Sequence, residues 1–252
     1  MISKWFQVSM LGWRGRGRKV VRRTVEQILW RAEWRAVSNL RVCLACSGKL
    51  QELKEKILAD KSLATRTDQD SRTALHWACS TGHSEIVEFC IRLGVRVNDK
   101  VDAGWSPPHV AASAGRDEIV KVLLGKGAQL NVNQSSCTPL HCAASKNRHE
   151  TAVMLLEGGA NPDAKDHLEA TAMHWAAAKG NLKMINILLY YKTSTNIQDR
   201  ESNTHLACDE ERVEEAKLLV SQGASIYIEN KETSLQVAKG GLGVILKRMV
   251  EG

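Results

Sequence analysis

Thr138-Pro139-Leu140-His141-Cys142-Ala143-Ala144-Ser145, Lys146-Asn147-Arg148-His149, then Ala152-Val153-Met154-Leu155-Leu156 closed by Glu157-Gly158-Gly159: this stretch, opening after Cys137, reads as two short helices and a stop. Thr138 is a side chain able to cap orphan backbone N–H groups, and Pro139 suits the first helical position because it has no N–H to leave unpaired. The glycine pair suits the left-handed residue that follows a helix C-terminus. The cassette recurs. Thr73-Ala-Leu-His76-Trp-Ala and Ser106-Pro-Pro-His109-Val-Ala precede it, Thr171-Ala-Met-His174-Trp-Ala follows it, and weaker copies stand at Thr204-His205 and Thr233-Ser-Leu-Gln236. The histidines lie 33, 32 and 33 residues apart from His76 to His174.

That period is the length of an ankyrin repeat, so the chain is expected to be an all-α solenoid of seven helix-turn-helix repeats with β-hairpin fingers between them. A stack of repeats is one quasi-linear domain whatever its length, and the 252 residues divide as a basic N-terminal extension over residues 1–37 and a repeat domain over 38–252. The first repeat, Leu44-Ala-Cys-Ser-Gly48 with Leu50, Leu53, Ile57 and Leu58, is atypical, as a terminal cap should be. Second helices follow in register at Glu85–Phe89, Glu118–Leu124, Thr151–Leu156, Leu182–Leu189 and Val213–Val220. Gly94, Gly127, Gly159 and Gly223 stop four of them, and Lys192 holds the corresponding place in the fifth.

Net charge is confined to one end. Lys4, Arg14, Arg16, Arg18, Lys19, Arg22, Arg23, Arg31 and Arg35 face only Glu26 and Glu33, which accounts for the whole net charge of +7. The repeats are neutral, and the high pI gives no ground for nucleic-acid binding by them. Within the extension, Val21, Val25, Ile28, Leu29, Ala32 and Ala36 recur at helical spacing beside the run Gly12–Lys19. This pattern fits a flexible leader, a capping helix, a nuclear or organelle address, or the tail of an adaptor that binds nucleic acid, an acidic surface or a calmodulin-like partner through residues 1–37. Nothing in it has the length of an apolar membrane span.

The 7 cysteines are odd in number and scattered through apolar helix positions, which favours a reducing compartment, cytoplasm or nucleus, over a disulfide framework. Cys43-Leu-Ala-Cys46 has no second pair at zinc-finger spacing, and Cys46 falls near the small-residue slots of Cys79, Ala112, Ala144, Ala177 and Cys208, so core packing is the expectation. The cassette histidines are expected to bond the backbone of the neighbouring loop. No G-x-S-x-G, H-E-x-x-H or phosphate loop occurs, so an enzyme is not indicated, nor any cofactor or metal. The residues just before each cassette, Arg72, Trp105, Cys137, Ala170 and Asn203, vary and mark finger tips. With Asp70, Asp102 and Asp166 nearby they are expected to form a concave wall of both charges around an aromatic, suited to a protein partner. Leu206-Ala-Cys208-Asp-Glu210 matches L-x-C-x-E, the pattern read by pocket proteins of the retinoblastoma class, although Cys208 also fits a core slot of a repeat helix.

From about Val37 to Gly252 the chain resembles the gankyrin family, ankyrin-repeat assembly chaperones of the proteasome regulatory particle. Ala59–Asp70, Ala143–His149 and Gln222–Asn230 carry the resemblance beyond the generic repeat. It implies a monomer whose concave face grips the C-terminal domain of a proteasomal ATPase subunit through Asp70, Arg72, Asp102, Lys146 and Glu210. Trp105 joins these on the finger reading. The resemblance further implies retinoblastoma protein, through Leu206, Cys208 and Glu210, and a cyclin-dependent kinase and a ubiquitin ligase as partners. The chain departs from the family in its N-terminal extension, in Pro108 at a cassette leucine, and in the 31-residue spacings from His174 to His205 and on to Gln236, which mark it as a diverged copy.

Overall fold

The computed structural model describes residues 42–131, 137–200, 213–224 and 248–249. The basic extension, the L-x-C-x-E motif with Leu206, Cys208 and Glu210, and residues 225–247, on which the expected seventh repeat falls, lie outside them. Helices pair in chain order: α1 (42–47) with α2 (Leu50–Ala59), α3 (Ala74–Thr81) with α4 (Ser84–Arg92), α5 (Pro107–Ala114) with α6 (Asp117–Gly125), α7 (Pro139–Ser145) with α8 (His149–Glu157), and α9 (Ala172–Ala178) with α10 (Leu182–Tyr190). Helix α11 (Val213–Ser221) packs on α10. A 3₁₀ turn, Lys61–Ala64, follows α2.

The odd-numbered helices α3, α5, α7 and α9 stack as an inner layer, and the even-numbered α4, α6, α8 and α10 stack as an outer one. Small residues let the inner helices approach closely: Ala78, Cys79, Ala111, Ala112, Ala143, Ala144, Ala176 and Ala177 are all buried. Cys79 fills its slot as expected. Cys46 does not, because Leu44 and Ala45 take the buried positions and leave the thiol half-exposed. Each outer helix buries one stripe, such as Ile86, Val87 and Cys90 in α4 or Met184, Ile185 and Leu188 in α10.

The second helices stop where the sequence places the stops. Gly94, Gly127, Gly159 and Gly223 all have positive φ, between 76° and 89°, and Lys192 adopts φ 59° in the same place. A lysine there carries a steric cost that glycine avoids. Pro108 is accommodated because it sits beside Pro107 in the first turn of α5, where the helix has no intrahelical acceptor for an N–H.

Among the described residues there is no β-strand, and the fingers there are closed by backbone-bonded turns. Three of them share a pair of backbone bonds: an N–H to the carbonyl four residues on, Asp68 to Arg72, Val101 to Trp105 and Asp166 to Ala170, all 2.9 Å, and a return bond to the carbonyls of Asp68, Val101 and Asp166 from the N–H groups of Ser71, Gly104 and Glu169, at 3.3, 2.8 and 3.0 Å. Amide side chains then join finger to finger. Asn98 accepts from the N–H of Gln129 at 2.8 Å and donates to the Gly127 carbonyl at 3.3 Å. Asn131 does the same with Asn161 and Gly159, at 2.8 and 3.0 Å.

Candidate functional site: the finger and inner-helix face

Four inner helices begin with the same reciprocal cap. The Thr or Ser hydroxyl of Thr73, Ser106, Thr138 and Thr171 serves the backbone N–H of the third helical residue, a histidine, whose imidazole serves the cap residue's own N–H. Nδ1 of His76, His109, His141 and His174 accepts that N–H at 3.0–3.2 Å. With Nδ1 an acceptor, Nε2 carries the proton and donates across to the next finger: His76 to the Asp99 carbonyl at 3.1 Å, His109 to Cys137 at 2.8 Å and His141 to Ala170 at 3.0 Å. The expected bond from histidine to the neighbouring loop is therefore present. Burial lowers the pKa of His76 and His109 from 6.5 to about 4, and lowers that of His141 as well. These rings are neutral struts holding the fingers in place.

Above the struts sit the variable residues. The position before each cap and the fourth helical position are neighbours in an N-terminal helix staple, which pairs Arg72 with Trp77, Trp105 with Val110, Cys137 with Cys142 and Ala170 with Trp175 in sequence register. Two of these pairs are in direct contact. The Arg72 guanidinium lies 4.7 Å from the Trp77 ring centroid, a cation–π contact. Cys137 Sγ lies 3.4 Å from Cys142 Sγ. Trp105 is half-buried and stacks on His109, with ring centroids 6.4 Å apart.

Arg72 was expected on an exposed tip. Its side chain is only 18% exposed, held by the carboxylates of Asp68, at 3.5 Å from Nε, and Asp70. Asp70 is about half exposed, and its carbonyl accepts from the N–H of Asp102 at 3.3 Å. Asp102 is exposed and accepts from the Ser71 hydroxyl. Asp70, Arg72 and Asp102 thus form one charged cluster across two adjacent fingers. Lys146 is exposed but caps the far end of α7, about 10 Å along the helix from its finger. It belongs to the inner-helix floor and not to the finger cluster.

Asp166 is a correction. It was expected to add surface charge, yet it is 6% exposed and turned inward. One carboxylate oxygen accepts the N–H groups of Leu168 and Ala170, at 2.8 and 3.0 Å, and the other accepts Trp175 Nε1–H at 2.9 Å. Asp68 makes the same three bonds, each 2.9 Å, to the N–H groups of Asp70 and Arg72 and to Trp77 Nε1. The signal for this pin is an aspartate nine residues ahead of a tryptophan, and it also identifies Trp77 and Trp175, which the sequence reading left out of the candidate surface.

Repeated two-helix units, alanine-packed inner helices and histidine-strutted fingers define an ankyrin-repeat protein, and the family model for ankyrin repeats (3 copies) matches residues 42–134, 90–166, 131–199 and 155–230. The chain belongs to the ankyrin-repeat family. Its relatives include the 26S proteasome non-ATPase regulatory subunit 10 of Homo sapiens, 85% identical over 72 residues, which are 28% of this chain and 32% of the relative. They include also the probable 26S proteasome regulatory subunit p28 of Saccharomyces cerevisiae, 33% identical over 207 residues, 77% of this chain and 91% of the relative. The Dictyostelium discoideum subunit 10 is 38% identical over 84 residues, 32% of this chain and 35% of the relative. The chain is thus a diverged homologue of these proteins, and its strong match spans about a third of the length of the human relative.

Proposed function

We propose that this protein is a non-enzymatic binding scaffold that serves as an assembly chaperone of the proteasome regulatory particle, gripping the C-terminal domain of one proteasomal ATPase on its finger and inner-helix face. The observation that carries this reading is the alignment with yeast p28, which runs over 207 residues and so over the stack as a whole. The cluster of Asp70, Arg72 and Asp102, with Lys146 on the floor below, supports it by offering both charges to a protein surface of mixed charge. Retinoblastoma protein, engaged through Leu206, Cys208 and Glu210, and a cyclin-dependent kinase and a ubiquitin ligase are proposed as further partners of a monomer working in cytoplasm and nucleus.

Calorimetric titration of the ATPase C-terminal domain onto the full chain tests the reading. Asp102→Lys and Lys146→Glu, both at exposed positions, are expected to weaken binding by about tenfold or more, because each replaces attraction with like-charge repulsion. Unchanged affinity in both variants removes this face from the interaction. Arg72→Glu is expected to weaken binding as well, but it also breaks the contacts with Asp68, Asp70 and Trp77, so its melting temperature is measured alongside. Deleting residues 1–37 separates the scaffold from an adaptor that binds through its basic extension: ATPase binding survives the deletion only in the first case.

A further inference from the structure

The staple before α7 is chemically unlike the others, because both of its members are thiols. We propose that Cys137 and Cys142 form a peroxide-sensitive dithiol, in which Cys137 is the attacking thiol and Cys142 resolves it to an intrachain disulfide. The two sulfurs are already 3.4 Å apart, about 1.4 Å from disulfide bonding distance. Cys137 is half-buried at the base of its finger and open to a small oxidant, whereas Cys142 is 5% exposed in the first turns of α7. The hydrogen bond with Cys142 lowers the pKa of Cys137 against the opposing effects of burial and of the Asp166 carboxylate. The same bond, with burial, raises Cys142 well above the usual thiol range. The easier thiolate is therefore the one that solvent reaches first.

The chemistry balances with hydrogen peroxide as oxidant. Cys137 thiolate attacks one peroxide oxygen, the O–O bond breaks, and the departing hydroxide takes up the proton Cys137 released, giving a sulfenic acid and one water. Cys142 sulfur then attacks Cys137 sulfur, the S–O bond breaks, and the second hydroxide leaves with the Cys142 proton as a second water. Two thiols are oxidised and one peroxide is reduced. The product ties the base of the finger to the first turns of α7, next to the Cys137 carbonyl that His109 Nε2 holds at 2.8 Å.

Other thiols serve as internal comparisons. Cys43 is exposed, so it reports peroxide reaching the protein, and Cys79 and Cys90 are fully buried core residues. The experiment treats the reduced full chain with hydrogen peroxide, quenches in acid, alkylates free thiols after denaturation, and digests with trypsin. Lys126 and Lys146 bound a peptide over residues 127–146 that contains both cysteines and no others. The expected product is that peptide lacking two hydrogens and carrying no alkyl group, restored to two alkylated cysteines by dithiothreitol. Cys142→Ala should instead leave Cys137 as a sulfenic acid trapped by dimedone, and Cys137→Ser should leave Cys142 unoxidised. Both cysteines remaining alkylated at a dose that oxidises Cys43 would overturn the proposal. So would Cys137 proceeding to sulfinic acid in the unaltered chain while Cys142 stays free.

Discussion

The finger leading into α3 and the finger leading into α5 share a backbone closure, yet they are held by different forces. In the first, Asp68 gathers two backbone N–H groups and the Trp77 indole N–H, and Arg72 folds over the tryptophan ring. In the second, Val101 and Val110 occupy the places of Asp68 and Trp77, and no side-chain carboxylate closes the turn. The finger before α9 returns to the first scheme with Asp166 and Trp175. One backbone conformation can thus be specified with or without a carboxylate hub, and a histidine bond from the preceding helix reaches the second finger at Asp99 and the third at Ala170. The difference lies in specificity, because a carboxylate with three fixed donors tolerates one geometry.

Acid should override the difference, since both kinds of finger hang from neutral histidines. The folded pKa of His76 and His109 is about 4, below the 6.5 of an exposed imidazole, so between these values the unfolded chain takes up protons that the folded chain excludes. Stability is full above about pH 6.5 and falls as pH drops toward 4, by about 1.4 kcal/mol per pH unit for each such histidine. Urea unfolding at several pH values reads this directly. A flat profile across that window would mean the rings are solvated and not struts.

Next in size comes the hub itself. Asp166→Ala is expected to cost about 2–4 kcal/mol, because it leaves buried donors unpaired, whereas Val101→Ala in the other finger should cost about 1 kcal/mol. Equal losses in denaturant melts would erase the distinction drawn between the two fingers. Trp77→Phe is a finer cut: it keeps the ring under Arg72 but removes the indole donor to Asp68, and about 1 kcal/mol should be lost. The smallest effect is a gain, with Lys192→Gly expected to stabilise by about 1 kcal/mol by relieving a left-handed lysine.

The layers that were legible in the sequence are the local ones. Caps and stops depend on residues within a turn of one another and recur at the histidine period, and even the odd case of Lys192 follows from its alignment with four glycines. What escaped was pairing across a finger. Asp166 and Arg72 look like surface charges when residues are judged singly, and only the nine-residue interval from aspartate to tryptophan tells that the carboxylate is turned inward. Cys46 was misplaced by one position for a related reason: in a short capping helix, either Ala45 or Cys46 satisfies the small-residue pattern, and packing against the next repeat decides between them.

The amide joints between fingers govern where this chain can change length. Asn98 and Asn131 each grasp the following repeat at two points, the stop glycine's carbonyl and an N–H two residues later. A residue inserted between those two points would force one grip to open. The one repeat with a 32-residue histidine interval respects this, because Asn98 and Asn131 are still 33 apart and the missing residue falls between Asn131 and His141. The interval is one residue shorter beyond the joint while the joint's own spacing is unchanged, so a loop graft or a tag is expected to be tolerated at the finger tip and rejected between the stop glycine and the second residue after it.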